Sequence, residues 1–260
     1  FPLRHVEDFE GKVPQGWISH GGVLFPMYQS EAMWICFDSE YDSDRMVSYP
    51  FAVKIATGKG CAVSGKTWRD GMHHDPQNYV VVPEQPWLDG YCVEKGVIRQ
   101  FVAMPLGSGY SAEEQVTGEA EYGGVQIQAF PMKREVFERR FPKQPRRDEM
   151  YSMRDRIQFC ACEASGPDMG LAPGGRMKQE IYEDPYKVSD WDTTITSRCF
   201  VHIANSMVWQ SITGKEPPTP PPTADAYTSA GLPWFDWYDE KNQVLQGSNT
   251  LDGMKSVTEM

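Results

Sequence analysis

Apolar residues alternate strictly with polar or small ones over residues 51–56, where Phe51, Val53 and Ile55 interleave with Ala52, Lys54 and Ala56. A period of two is the signature of a half-buried strand. A compact apolar run at 32–37 (AMWICF) and the segments 79–82, 97–104, 125–130, 157–162 and 177–182 read as further strands. Turn-rich stretches separate them, among them Gly123-Gly124 and residues 166–175 (GPDMGLAPGG). No strand is followed by the amphipathic helix of about 10–15 residues that a repeating βαβ unit requires. The pattern predicts a mainly β chain, an antiparallel sandwich or distorted barrel with one or two peripheral helices, with α+β as the alternative.

Helical spacing is sparse and late. Over residues 197–213, Phe200, Ile203, Ala204, Met207, Val208 and Ile212 fall at helical intervals, with Gly214 as the C-cap and Pro217 beyond it. Val201 and Ile203 also alternate with polar neighbours, so a strand pair competes with the helix there. The stretch EPPTPPPT at 216–223 is too proline-dense for either and reads as a semi-rigid connector. The chain therefore divides into a β-rich core, residues 1–216, and a tail, 217–260. The tail is too short for its own core and is expected to pack on the core or on a neighbour through Trp234, Phe235 and Trp237.

Charge narrows the partners. The chain carries 36 acidic and 25 basic residues, a net charge of -11, which repels nucleic acid and anionic membranes. Its one basic cluster, 133–147, is interleaved with Glu135 and Glu138 and runs into Asp148 and Glu149, as on a solvated helix and linker. No apolar run approaches the roughly 18 residues of a membrane helix. The 6 cysteines include no C-x-x-C pair, and several sit in apolar strand-like runs. That usage points to a reducing, cytoplasmic setting for a soluble protein, with the even count leaving disulfides open. The chain begins FPLRHVEDF, with neither an initiator methionine nor a signal-peptide pattern, and reads as part of something longer.

Gly60, Gly65, Lys66 and Thr67 match the phosphate-loop pattern G-x-x-x-x-G-K-[ST]. That chemistry needs a strand, a loop of free N–H groups, and a helix starting at the Lys-Thr. Here Gly71 and Pro76 allow no useful helix, residues 57–60 (TGKG) read as a hairpin turn, residues 61–63 as the returning strand, and Lys66 as a solvent-facing turn residue. Nucleotide binding through residues 60–67 is thus a minority alternative. Further on, Ser111 and Glu114 form a capping box, and Glu113 with Glu114 supplies the negative charge that a helix N-terminus attracts. The expectation is a capped surface helix.

His73, His74 and Asp75 are candidate metal ligands, a divalent metal being the cofactor they would take; no other cofactor is predicted. Adjacent histidines on an extended chain point to opposite sides, so His20 or His202 would have to complete the set. Cys160 and Cys162 share one face of a predicted strand. Aromatic rings beside carboxylates make a sugar-stacking platform, which nominates Trp68, Trp87, Asp89, Trp234 and Trp237 as ligand-binding residues. The competing role for these rings is to anchor loops. No nucleophile elbow, H-E-x-x-H or dinucleotide fingerprint appears, and no catalytic residue is singled out.

The stretch PEQPWLDGYCVEKGVIRQFVAMPLGSGYSAEEQVTGEAEYGGVQI, with MGLAPGGRMKQEIYEDPY and SRCFVHIANSMVW, resembles a widespread family of uncharacterised proteins known from genome sequences. The resemblance implies one coherent domain and brings no activity, cofactor or site residue with it. The expectation is a β-rich binding or self-assembling protein, partnered by itself, another protein or a carbohydrate. A carboxylate- or metal-dependent hydrolase is the alternative.

Overall fold

A computed structural model describes residues 3–143, 168–218 and 243–260. Among these, eleven strands form one sheet. Its main path runs Gly90–Glu94, Val97–Pro105, Asp168–Lys178, Ser197–Asn205, Val125–Pro131, Phe51–Thr57 and Gly60–Cys61. Pairing along this path is antiparallel, whereas Val23–Met27 joins Ser197–Asn205 as a parallel neighbour. The chain is mainly β, and its sheet stays open instead of closing into a barrel. Its two ends nonetheless approach, since the Cys92 N–H donates to the Ala62 carbonyl at 2.9 Å.

The period of two gives the sheet two unlike faces. Val53, Ile55, Val125 and Ile203 face the main core with Phe101, Ala103 and Leu171. The opposite face carries its apolar clusters at its two ends. One end holds Ala52, Phe130, Tyr79 and Trp191, and the other Trp17, Leu24, Ala204 and Trp209. Between them lie Lys54, Gln128 and Arg198, then Gln126 and Phe200, then His202, aligned by cross-strand pairing.

Helices are short and peripheral: Gln15–His20, Ala112–Thr117, Arg134–Arg140, Ser206–Thr213 and Asn249–Asp252. No helix among the described residues is long and apolar enough to cross a membrane. The capping box forms, Ser111 Oγ accepting the Glu114 N–H and the Glu114 carboxylate accepting the Ser111 N–H. Glu113, however, turns inward and is buried, its carboxylate accepting the N–H groups of Tyr122 and Gly123. The tail residues 243–260 pack on the core through Leu251 and Met254.

Four local expectations are corrected. Residues 197–213 are strand to Asn205 and helix only from Ser206, because Asn205 Oδ1 caps the helix by accepting the Met207 and Val208 N–H groups. The glycine-rich stretch at 166–175 falls largely within strand Asp168–Lys178, which pairs along Val97–Pro105. Residues 32–37 split into Ala32–Met33 and Ile35–Cys36, which pair with different partners. Strand Gly60–Cys61 ends sooner than predicted, and residues 62–64 turn. The expected strand at 157–162, with Cys160 and Cys162, lies outside the described residues.

Candidate functional site

Lys54 occupies the centre of Phe51–Thr57, flanked along its own face by Ala52 and Ala56, and is 1% exposed. The alternation that makes the strand therefore drives a lysine inward. Its Nζ lies 4.1 Å from the Trp68 ring centroid and donates to the Arg69 carbonyl at 2.5 Å. The Arg198 guanidinium sits 4.9 Å from the same ring and 4.8 Å from that of Phe200, and it donates to the Gln126 side chain. Cation–ring contacts of this kind contribute about 0.5–2 kcal/mol each. Burial, the largest influence, holds the Lys54 amine below its ordinary pKa. The Trp68 indole N–H and Gln128 Oε1 are buried without a hydrogen-bond partner among the described residues.

A cavity of about 70 Å³ opens beside this amine. Two segments wall it. Residues 64–69 contribute Lys66, Trp68 and Arg69, and residues 73–78 contribute His73 and Asp75. The first segment is folded onto itself: the N–H groups of Cys61, Gly65 and Trp68 donate to the carbonyls of Lys66, Cys61 and Lys59. The second closes through a reciprocal pair, the His73 N–H to Asn78 Oδ1 at 2.9 Å and the Asn78 N–H to the His73 carbonyl at 3.0 Å.

This architecture decides what the phosphate-loop letters mean. Thr57 and Gly60 pair as a hairpin, and Thr67 bridges back to Gly60 instead of opening a helix. Lys66 is solvent-exposed, and its N–H donates to Ser64 Oγ. With the Cys61, Gly65 and Lys66 N–H groups committed to the loop's own oxygens and no helix after Thr67, the loop lacks the geometry of a phosphate cradle.

Of the metal candidates, His73 and Asp75 line the cavity and His74 does not. All three are exposed, and no cluster of three or more His, Cys, Asp or Glu side chains forms among the described residues. His20 and His202 come to each other instead, at 6.4 Å between ring centroids. His202 stacks on Trp17 at 4.7 Å, and its Nε2 meets the Gly21 carbonyl at 3.0 Å. Burial pushes its pKa down to about 4.

Of the ring candidates, Trp68 reaches the cavity, with its ring already packed against two cations. Trp87 donates its indole N–H to Asp89 at 2.8 Å, and the Asp89 N–H donates to Gln179. Burial raises the Asp89 pKa, with the indole bond opposing. This pair ties two strand ends together and is not part of the cavity wall. Trp234 and Trp237 lie outside the described residues. Other inward-facing carboxylates are also engaged: Asp184 accepts the Tyr79 hydroxyl at 2.5 Å and the Trp191 indole at 2.8 Å.

Lys54, Arg69 and Arg198 are the site residues that the sequence reading missed. The available signal was a lone lysine inside an alternating apolar strand, at a position whose side chain must enter the sheet. Comparison of the chain with protein-family models, curated proteins and solved structures finds no match.

Proposed function

We propose that this is a binding protein for a small anion, held in the cavity beside Lys54 and Trp68. The observation that carries it is the presence of Lys54, Lys66 and Arg69 in the wall of one cavity, against the one acidic residue Asp75, in a chain of net charge -11. The overall negative field repels polyanions, while a local group of cations draws in a small one. A cavity of about 70 Å³ equals about two waters at roughly 30 Å³ each, the scale of a carboxylate and too small for a nucleotide. About five ligand heavy atoms at about 0.8–1 kcal/mol each give a dissociation constant on the order of 1 to 0.1 mM.

Intrinsic fluorescence titrated with sodium acetate and sodium phosphate at fixed ionic strength tests this. The expected result is a saturable change that disappears in Trp68→Phe. It should weaken at least about tenfold in the double variant Lys66→Ala, Arg69→Ala. A linear response, or an unaltered one in the double variant, overturns the proposal.

A further inference from the structure

We infer that the cleft between residues 40–49 and the helix Arg134–Arg140 is a second binding site, and that its ligand is a neutral saccharide. The cleft encloses about 480 Å³, within the roughly 300–1,000 Å³ range of small-molecule sites. It shares no lining residue with the cavity beside Lys54, so the inference stands apart from the anion-binding reading. Strand pairing builds one wall. Tyr41–Asp42 pairs with Val47–Ser48, and the Tyr49 N–H donates to the Glu40 carbonyl at 2.8 Å. A period of two then sets Glu40, Asp42 and Tyr49 on one side of this hairpin. The helix builds the other wall with Arg134, Phe137 and Glu138, which share a face at i, i+3 and i+4. Tyr49 and Phe137 meet at 4.3 Å between ring centroids and join the two walls with apolar surface.

The ligand class follows from the polar groups around this space. Arg45, in the hairpin turn, donates from Nη1 to Asp42 at 2.7 Å and lies 5.4 Å from the Phe137 ring centroid. Its Nη2 is 3.9 Å from Glu138, beyond hydrogen-bond reach. Arg134 Nε donates to Glu138 Oε1 at 3.0 Å, which leaves the remaining guanidinium N–H groups and the second Glu138 oxygen for a ligand. Glu40 adds an exposed carboxylate. Acceptors and donors therefore stand side by side in one cleft. A ligand anion would meet Glu40, Asp42 and Glu138, and a ligand cation would meet Arg45 and Arg134. A hydroxyl group donates to a carboxylate and accepts from a guanidinium at once, so a series of hydroxyls uses both walls without breaking either ion pair. A sugar carries such a series along its edge, and its C–H faces suit the rings.

A glycan array probed with the intact chain provides the test, followed by saturation-transfer NMR on the neutral saccharide retained best. The array carries neutral mono- to tetrasaccharides of the common hexoses and pentoses beside sulfated and sialylated ones. The expected result is saturable retention of at least one neutral saccharide, weakened at least tenfold in Glu40→Ala and in Arg134→Ala. Both side chains are exposed, so neither variant removes a buried contact, and unaltered circular-dichroism melts confirm the fold. The double variant Lys66→Ala, Arg69→Ala should retain the saccharide as the parent chain does, which separates this site from the anion cavity. If no neutral saccharide is retained, or if retention is indifferent to Glu40 and Arg134, the inference fails. Retention of acidic glycans alone, or NMR transfer to the dication agmatine without transfer to any neutral sugar, would assign the cleft to ions and overturn it equally.

Discussion

Gly65 stands where a nucleotide loop has its second glycine, yet the fold gives it another task. Its φ is +68°, and a Cβ there would overlap Ser248 Oγ and lie 2.9 Å from Leu251 Cγ. Leu251 is buried, and the Ser248 N–H is held by the Cys92 carbonyl at 3.0 Å, so the tail cannot retreat freely. Gly65→Ala should therefore cost about 1–2 kcal/mol for the left-handed backbone, plus about 1–3 kcal/mol for overpacking. Gly118→Ala isolates the first contribution, because Gly118 has φ +76° and open space around its absent Cβ. Urea unfolding of both variants should place Gly65→Ala below Gly118→Ala by about 1–3 kcal/mol, equivalent to roughly 2–12 °C in Tm. Equal losses would mean that the tail does not pack on this loop, and the structural reason for the glycine would fall.

Three other outcomes follow from buried groups. The folded-state pKa of Lys54 lies below its ordinary value of 10.5, so between the two values the unfolded chain binds more protons and stability rises with pH. Lys54→Met should remove that rise on the approach to pH 10.5 in urea titrations; unchanged slopes would place the amine in solvent. Burial takes His202 from 6.5 to about 4, so its contribution is complete above pH 6.5, is lost as pH falls through that window, and totals about 3 kcal/mol. His202→Phe should flatten this part of the acid transition, and an unchanged profile would refute the assignment. Glu113→Ala strands the Tyr122 and Gly123 N–H groups and should cost about 2–4 kcal/mol in the same assay, whereas a loss below 0.5 kcal/mol would show them solvated.

Strands were legible where alternation was strong. Phe51–Thr57 follows from period-two patterning, Val80–Val82, Val97–Pro105 and Val125–Pro131 from apolar runs bounded by turns, and the hairpin at residues 57–60 from its turn residues. The failures came where tertiary contact outweighed local pattern. Gly170 and Gly174 look like turn formers, but they sit in a strand where Ser111 and Val102 press close. At 197–213 the apparent helical face spans a junction: Phe200 belongs to a strand and Met207, 56% exposed, to a helix. The site was legible in fragments. Trp68 stood out as a ring candidate and His73 with Asp75 as metal candidates, but nothing local says that they share a cavity with Lys54. Long-range pairing supplies that, and a single sequence does not encode it in any short window.

The polar middle of the sheet's second face has a consequence for how the strands find their partners. Slipping a strand by one residue swaps its faces and is penalised in any half-buried sheet. Slipping by two keeps the faces and would go unpunished if the buried side were uniformly apolar. Here such a slip would slide Lys54 or His202 beneath the apolar end clusters and strand a polar group in hydrocarbon, at a cost of several kcal/mol. Lys54, Gln126, Gln128 and Arg198 thus work as the teeth of a key that admits one alignment. A chain with leucine at all four positions should still collapse into a sheet, but as a mixture of alignments with broadened spectra.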